Sequence, residues 1–409
     1  MLLDVDVEQA LGIVLDSVSP LKDETRHLLD CLGRVLAEDV LADMDIPPFD
    51  NSAMDGYALR AADTVAAGAE NPVSLRVIAD LPAGYPPPPL VRPGEAVRIM
   101  TGAPIPPGTD AIVRTEDVKR IDGGVLISRP VSPGDDLRRA GEEVRAGELI
   151  LRRGTTIRPA EIGMLATLGR TRAQVVRAPR VAVLTTGDEL VLPDEPVTPG
   201  KIRNRNLFSL SAQVKACGGE PLPLGIARDT AGELEAMIQK GIADADLLIT
   251  SGGVSVGDYD VVKTVLSRMG EILFWQVKMR PGAPVTFGLI EGKPMFGLPG
   301  NPSASMVAFE QFARPAILKM SGQARLRRRH VEAILETGVR SRLGVRNFLR
   351  AIATEENGEW RVRPAGAQGS GILRTMVQAN ALLVIPETVA RLQAGDRATV
   401  QLIDLPEAD

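Results

Sequence analysis

The chain has 409 residues, 44% of them hydrophobic and 24% charged, a composition ordinary for a soluble globular protein and long enough for roughly three or four domains. Its formal net charge of −5 and its 3% of aromatic residues argue against nucleic acid, anionic membrane or base stacking as a target. Two cysteines, Cys31 and Cys217, and two histidines, His27 and His330, exclude a disulfide framework, a thiolate metal site and a histidine-rich zinc or haem site, so any metal is expected to be a hard cation held by oxygen.

The first residues, MLLDVDVEQALGIVLDSV, carry early acids and no basic stretch, so no signal peptide is expected. No apolar run of about 18 residues occurs, and a cytoplasmic protein without a membrane span is the reading. Asp6 is positioned to cap a helix whose apolar stripe is Val7, Leu11, Val14 and Leu15. A second helix is expected in TRHLLDCLGRVLAED. The texture then changes. Short β-type runs (VSLRVIA, EAVRIMTG, DAIVRTE, GVLISRP) separated by clusters such as AGYPPPP predict a β domain inserted into an otherwise helical one. Helical spacing returns in RPAEIGMLATLG.

From Arg180 onward, strands such as RVAVLTT, EPLPLGI, DLLITSG and EILFWQVKM alternate with helical runs of 10–15 residues, the pattern of a three-layer α/β domain with a mostly parallel sheet. PVTFGLI and KPMFGLP add a hairpin. The basic run in SGQARLRRRH reads as a solvated boundary, and short strands close the chain. The expected organisation is a discontinuous helical domain (1–45 and 141–178), an inserted β domain (46–140), the α/β domain (179–325) and a C-terminal β-barrel-like domain (326–409).

In an open parallel sheet, ligands sit beyond the carboxyl ends of the strands. The strand exits here are TTGDELV with Asp188 and Glu189, GIARD with Asp229, TSGGVSVGDYD with Asp258 and Asp260, MRPGAP with Arg280, and GLPGNPSAS. All fall on one edge. Taken singly, each acid reads equally well as a turn residue or helix cap. Together, carboxylates crowded on one rim call for a cation, and an oxygen-only donor set points to Mg²⁺. The glycines of SGGVSVG and PGNPSAS can turn backbone N–H groups toward an anion. A phosphate-bearing ligand carrying Mg²⁺ satisfies both halves. Neither G-x-x-x-x-G-K-[ST] nor a G-x-G-x-x-G opening the first βα unit is present, which argues against a nucleotide-triphosphate switch and a dinucleotide dehydrogenase. The β insertion has a cluster of its own in FDNSAMDGYAL and RIMTGAP, with Asp50, Asn51, Ser52, Asp55, Gly56, Thr101 and Gly102. On its own it reads equally as a tight turn.

Taken in order, PPFDNSAMDGYAL, RIMTGAPIPPGTDAIV, TTGDEL, KIRNRN, TSGGVSVGDYD and GLPGNPSAS resemble the molybdopterin molybdotransferase family, which includes the E domain of gephyrin. The resemblance spans essentially the whole chain. SGGVSVGDYD and GLPGNP mark only the shared molybdopterin-binding α/β domain, whereas DNSAMDGYA with IMTGAP is specific to the family. It implies insertion of molybdate into adenylylated molybdopterin, with release of AMP in the presence of Mg²⁺, by a homodimer whose cleft lies between the α/β domain of one copy and the β insertion of the other. On that resemblance, Glu189, Asp229 and Asp260 hold Mg²⁺, and Asp55 and Thr101 complete the catalytic set from the second copy. Ser251, Gly252, Gly253, Ser255 and Gly257, with Asp258, contact the phosphate or pterin, and Pro299, Gly300, Asn301, Pro302 and Ser303 form the facing wall. Arg280, Arg350 and Ser370 are anion candidates. A molybdopterin adenylyltransferase and apo molybdoenzymes are the further partners it suggests.

Two departures stand out. Family members often carry K-P-G-K-P where this chain has Arg280-Pro281-Gly282-Ala283-Pro284, so one charge is missing at Ala283; Glu143 stands where an Asp is frequent. Two rival readings are a molybdopterin adenylyltransferase, which uses the same α/β domain without the β insertion, and a binding scaffold like the gephyrin E domain.

Overall fold

Val181 and Val183 pack into one core and Ala182 and Leu184 into another, all four buried. A strand buried on both faces needs helices on both sides of its sheet. The computed structural model, which describes residues 1–253 and 261–404, has that arrangement at its centre. In chain order the central sheet contains β1 (Leu2–Val5), β2 (Arg180–Thr186), β3 (Glu220–Ala227), β4 (Leu247–Ser251), β5 (Gly270–Val277), β6 (Thr286–Ile290) and β7 (Lys293–Leu298). Its helices are α1 (Val7–Asp16), α2 (Asn206–Ala216), α3 (Ala231–Asp244), α4 (Val261–Met269) and α5 (Pro302–Ala308), the last running on through a wide turn at Phe309–Ala313 into Arg314–Met320.

The strands lie in the order β1-β5-β6-β7-β4-β2-β3. Only β6 runs against the rest: it is antiparallel to both β5 and β7, and every other pairing is parallel. Helices α1, α2 and α5 send Leu11, Leu210 and Val307 into the core on one face. Helices α3 and α4 send Ile238 and Val265 into the core on the other. Three layers follow, with the carboxyl ends of β2, β3, β4 and β7 on one edge. Phe274, Phe287 and Phe296 pack against one another across three adjacent strands, with ring centroids 5.8 and 4.8 Å apart.

Behind this sheet in sequence comes a closed β-barrel. Strands His330–Leu335, Arg346–Glu356, Glu359–Pro364, Ala381–Ile385 and Arg397–Leu402 pair in a ring, because Ala381–Ile385 joins both Arg397–Leu402 and Arg346–Glu356. The short strand Met279–Arg280 adds to it in parallel, with Met279 opposite Arg346 and Arg280 opposite Asn347. Barrel and α/β layers belong to one compact unit (Met1–Glu38, Gly154–Ile162 and Thr171–Asp409), while Asp39–Arg153 and Gly163–Arg170 form a second. The second unit holds a mixed sheet of six strands in the order Ala111–Arg114, Gly56–Leu59, Glu95–Ile99, Val73–Leu81, Gly124–Ile127 and Val118–Ile121.

The expected helical N-terminal domain is a correction. Asp23–His27 is a strand paired antiparallel with Arg172–Val176, and Leu28–Cys31 is a single 3₁₀ turn. Asp23, Glu24, Arg26 and His27 leave no apolar stripe for a helix to bury, and Gly33 at φ +76° ends any helical path. Leu2–Val5 and α1, expected to belong to that domain, instead extend the α/β sheet and its helical layer.

Candidate functional site

The strand exits converge as the sheet topology requires. A cleft of about 670 Å³ opens over the ends of β2, β3, β4 and β7, and Glu189, Asp229, Ser251, Gly252, Gly253, Pro299, Gly300 and Asn301 all line it. Gly187 makes the turn at the end of β2 with φ +148°, and a Cβ there would lie 2.4 Å from Glu189 Oε2. The missing side chain is what lets the Glu189 carboxylate fold back over the turn. Asp188 and Asp229 face each other, each carboxylate within 3.4–3.5 Å of the other residue's amide N–H. Leu190–Val191 then pairs with Ile202–Arg203, and Lys201 Nζ donates to the Asp188 carbonyl, closing the loop beside the two acids.

The floor is built by close backbone approach. Gly252 sits at φ +99°, where a Cβ would come within 2.5 Å of the Thr186 carbonyl oxygen, and Gly300 packs toward the Gly252 Cα. Asn206, at the start of α2, ties the two glycine loops together: its Nδ2 donates to Ser251 Oγ at 2.9 Å and to the Gly300 carbonyl at 2.7 Å. Ser251 Oγ in turn donates to the Pro299 carbonyl at 3.0 Å. Asn204 Nδ2 bonds Thr185 Oγ1 at 2.7 Å while its Oδ1 accepts the Leu207 amide, which fixes the entry into α2. After these bonds are made, Asn206 Oδ1 and Thr186 Oγ1 remain buried with no partner among the described residues. Unsatisfied buried polar atoms in a cleft lining are ready contacts for a polar ligand. Within KIRNRN, neither Asn204 nor Asn206 stands out from the sequence alone. The available signal is a pair of amides, spaced two apart, where a helix begins.

Pro302 starts α5 as its first residue, but its neighbour's groups face inward. The Ser303 amide donates to the Ser370 carbonyl at 3.1 Å and its Oγ to the Ile372 carbonyl at 2.6 Å. Both loops are joined there, and the hydroxyls of Ser251 and Ser303 serve the framework. Arg280 is exposed and lines a second cavity together with Ser370 and Asn301. Arg350 is fully buried: Nη2 donates to the carbonyls of Ala367 and Gly369, Nε to Thr375 Oγ1, and Nη1 has no partner among the described residues. Burial pushes its guanidinium below its usual pKa.

Asp55 and Thr101 meet in the second unit. Asp55 Oδ1 accepts the Thr101 amide at 2.8 Å and its hydroxyl at 2.7 Å. The hydrogen bond donated by the Thr101 amide first, and that from its hydroxyl second, hold this exposed carboxyl below its ordinary value. The turn is set by Gly102 at φ +82° and by Gly56, where a Cβ would collide with the Val113 carbonyl oxygen at 2.2 Å. Asp50, at the start of the same motif, accepts from the Ala140 amide and Arg139. Ser255, Gly257, Asp258 and Asp260 lie outside the described residues. Among the described residues no group of three or more His, Cys, Asp or Glu side chains is gathered as a metal site.

A doubly covered sheet with carboxylates and tight glycine loops on its carboxyl edge defines an α/β ligand-binding protein with accessory β domains. Comparison with known proteins narrows this. Residues 5–169 match the MoeA N-terminal region (domains I and II), 182–319 the probable molybdopterin-binding domain, and 332–403 the MoeA C-terminal region (domain IV). Molybdopterin molybdenumtransferase 2 of Mycobacterium tuberculosis is 40% identical over 403 residues, covering 96% of this chain and 98% of that protein. The molybdopterin molybdenumtransferase of Haemophilus influenzae is 35% identical over 399 residues, covering 97% and 98%. A solved molybdopterin biosynthesis MoeA protein from Pyrococcus horikoshii superposes with a TM-score of 0.82 at 34% identity, over 98% of this chain and all of the other. The chain belongs to the molybdopterin molybdenumtransferase family.

Proposed function

We propose that this protein inserts molybdate into the dithiolene of adenylylated molybdopterin and releases AMP, with Mg²⁺ present. The observation that carries the reading is the pairing, in one cleft, of the Glu189 and Asp229 carboxylates with the glycine-built floor of Gly252, Gly253 and Gly300. An oxygen-only donor set of this kind suits Mg²⁺, and the Gly187 turn that accommodates the Glu189 carboxylate fits such a role. Glu189 and Asp229, with Asp260 as the third ligand, are the residues that would hold it. When bound, the ion neutralises the charge that develops as the phosphoanhydride breaks.

The chain's own groups do the rest. Backbone amides of Gly253, Gly300 and Asn301 orient the phosphate, while Asn206 Oδ1 offers an acceptor and Thr186 Oγ1 a donor or acceptor to the pterin or ribose. Asp55 and Thr101 reach the cleft from the other copy of a cytoplasmic homodimer, with the Asp55 carboxylate held in place by the Thr101 amide and hydroxyl. Arg280 and Ser370 hold the oxyanion in the second cavity, which shares Pro284, Pro299 and Asn301 with the first. The test is AMP release from adenylylated molybdopterin by purified protein with Mg²⁺, with and without molybdate, coupled to activation of an apo molybdoenzyme. Molybdate-dependent release with activation supports the reading. Tight binding without cleavage would leave a carrier or scaffold instead.

A further inference from the structure

The second cavity, of about 640 Å³, lies where the segment 277–284 meets the barrel. Its lining carries three cations, Lys278, Arg280 and Arg342, against one carboxylate, Asp4. None of the three cations has an ion-pair partner among the described residues. Their convergence is built into the fold. Met279 is buried in the α/β core, so strand alternation turns its neighbours Lys278 and Arg280 together to the open side. Arg342 comes from a loop more than fifty residues away. It is brought in by Asn347, the register partner of Arg280. Asn347 is buried, its Nδ2 donates to the carbonyls of Arg342 at 2.9 Å and Val345 at 2.8 Å, and its Oδ1 accepts the Arg342 amide at 3.4 Å. The segment carrying Lys278 and Arg280 continues through Gly282, at φ +103°, to Ala283, which also lines the cavity and whose methyl group brings no charge.

Three like charges held in one cavity repel unless an anion sits among them. We propose that Lys278 and Arg342 are affinity-determining residues for the oxyanion substrate, supplying from two separate segments the positive charge that position 283 lacks; this rests on molybdate being that substrate. The oxyanion is held between the ammonium of Lys278 and the guanidinium groups of Arg280 and Arg342, with Asp4 tempering the net charge. The pocket adjoins the first cleft, the two sharing Pro284, Pro299 and Asn301 in their walls, so an oxyanion bound there lies beside the ligand whose dithiolene receives it.

The experiment measures the molybdate Kd by calorimetry at low salt for the full-length protein, Lys278→Ala, Arg342→Ala, the double variant, and the double variant carrying Ala283→Lys. Each single change should weaken binding about threefold and the double change about tenfold or more, as expected for solvent-exposed charges acting on an anion at low salt. Ala283→Lys should restore most of the loss in the double variant and add little to the unmodified protein. Both side chains are exposed, so melting temperatures should stay together. The KM for molybdate in AMP release should rise by the same factor as Kd. Unmodified protein that releases AMP on molybdate, beside a double variant with unchanged Kd and KM, overturns this inference and leaves the reaction intact. Unmodified protein without molybdate-dependent release, but with the Kd series as expected, keeps the oxyanion pocket and overturns the proposed reaction.

Discussion

Glu189 and Asp229 sit on the same rim, and their separate contributions are measurable because neither supports the fold through an ion pair among the described residues. Glu189→Gln and Asp229→Asn keep shape and remove charge. Each should lower AMP release on the order of 10²-fold or more, with adenylylated molybdopterin still bound, as for loss of a metal-held transition-state charge. Rescue of either variant by raised Mg²⁺ would place the defect in metal affinity, and full activity would remove that residue from the site. Gly252 tests the floor. A methyl there meets the Thr186 carbonyl at 2.5 Å on a backbone at φ +99°, whereas Gly200, at φ +82°, has open space around it. Gly252→Ala should therefore cost about 2 kcal/mol or more and Gly200→Ala about 1 kcal/mol or less. Equal shifts in thermal melting would mean that the floor can yield.

The helix Pro159–Thr167 shows how one element is started and how its start responds to pH. Pro159 opens it, and Glu161 reaches back to accept from the Arg158 amide at 2.8 Å while pairing with its guanidinium at 2.6 Å. The Arg158 side chain is the main reason the Glu161 carboxyl falls from its ordinary 4.5 to about 2. A folded-state value below the unfolded one gives stability that is present above about pH 4.5 and fades as pH falls toward 2. With Arg158 largely exposed, solvent screening keeps the contribution small. Glu161→Gln should lower the midpoint of urea unfolding at neutral pH, and the gap should narrow near pH 4; a gap independent of pH would assign the effect to lost packing. At this scale the sequence was most informative where periodicity was strong. The α/β alternation after Arg180, and the gathering of glycines and acids at strand exits, could be read directly, because burial on both faces writes long apolar runs. The segment Thr25–Asp39 could not: its strand is held by pairing with Arg172–Val176, a partner nearly 150 residues away that local spacing does not reveal. Asn206 and Arg342 do not stand out in the sequence for a related reason. Each acts through loops that only the sheet topology brings together.

Three family regions lie in order along nearly the entire chain, and the carboxylates proposed to act in catalysis are divided between its two compact units. Asp229 lines the α/β cleft, while Asp55 is fixed by Thr101 on the β unit. If the working site joins the α/β unit of one copy to the β unit of the other, an isologous dimer contains two such composite sites. Asp55→Asn and Asp229→Asn, each inactive alone, then complement each other. In a mixed dimer one site receives both altered residues, and the other receives neither. Random assortment from equal amounts makes half the dimers mixed, each with one working site of two, so about a quarter of full AMP release should return. The two variants are mixed after dissociation and reassembly, or co-expressed with different tags and purified through both. Tandem purification isolates mixed dimers alone and raises the expected value to about half. If Asp55 and Asp229 instead serve the same chain's cleft, every site in the mixture carries one lesion and activity stays at the level of the single variants. Recovery near a quarter therefore distinguishes a shared site from a self-contained one, without any assumption about which step limits turnover.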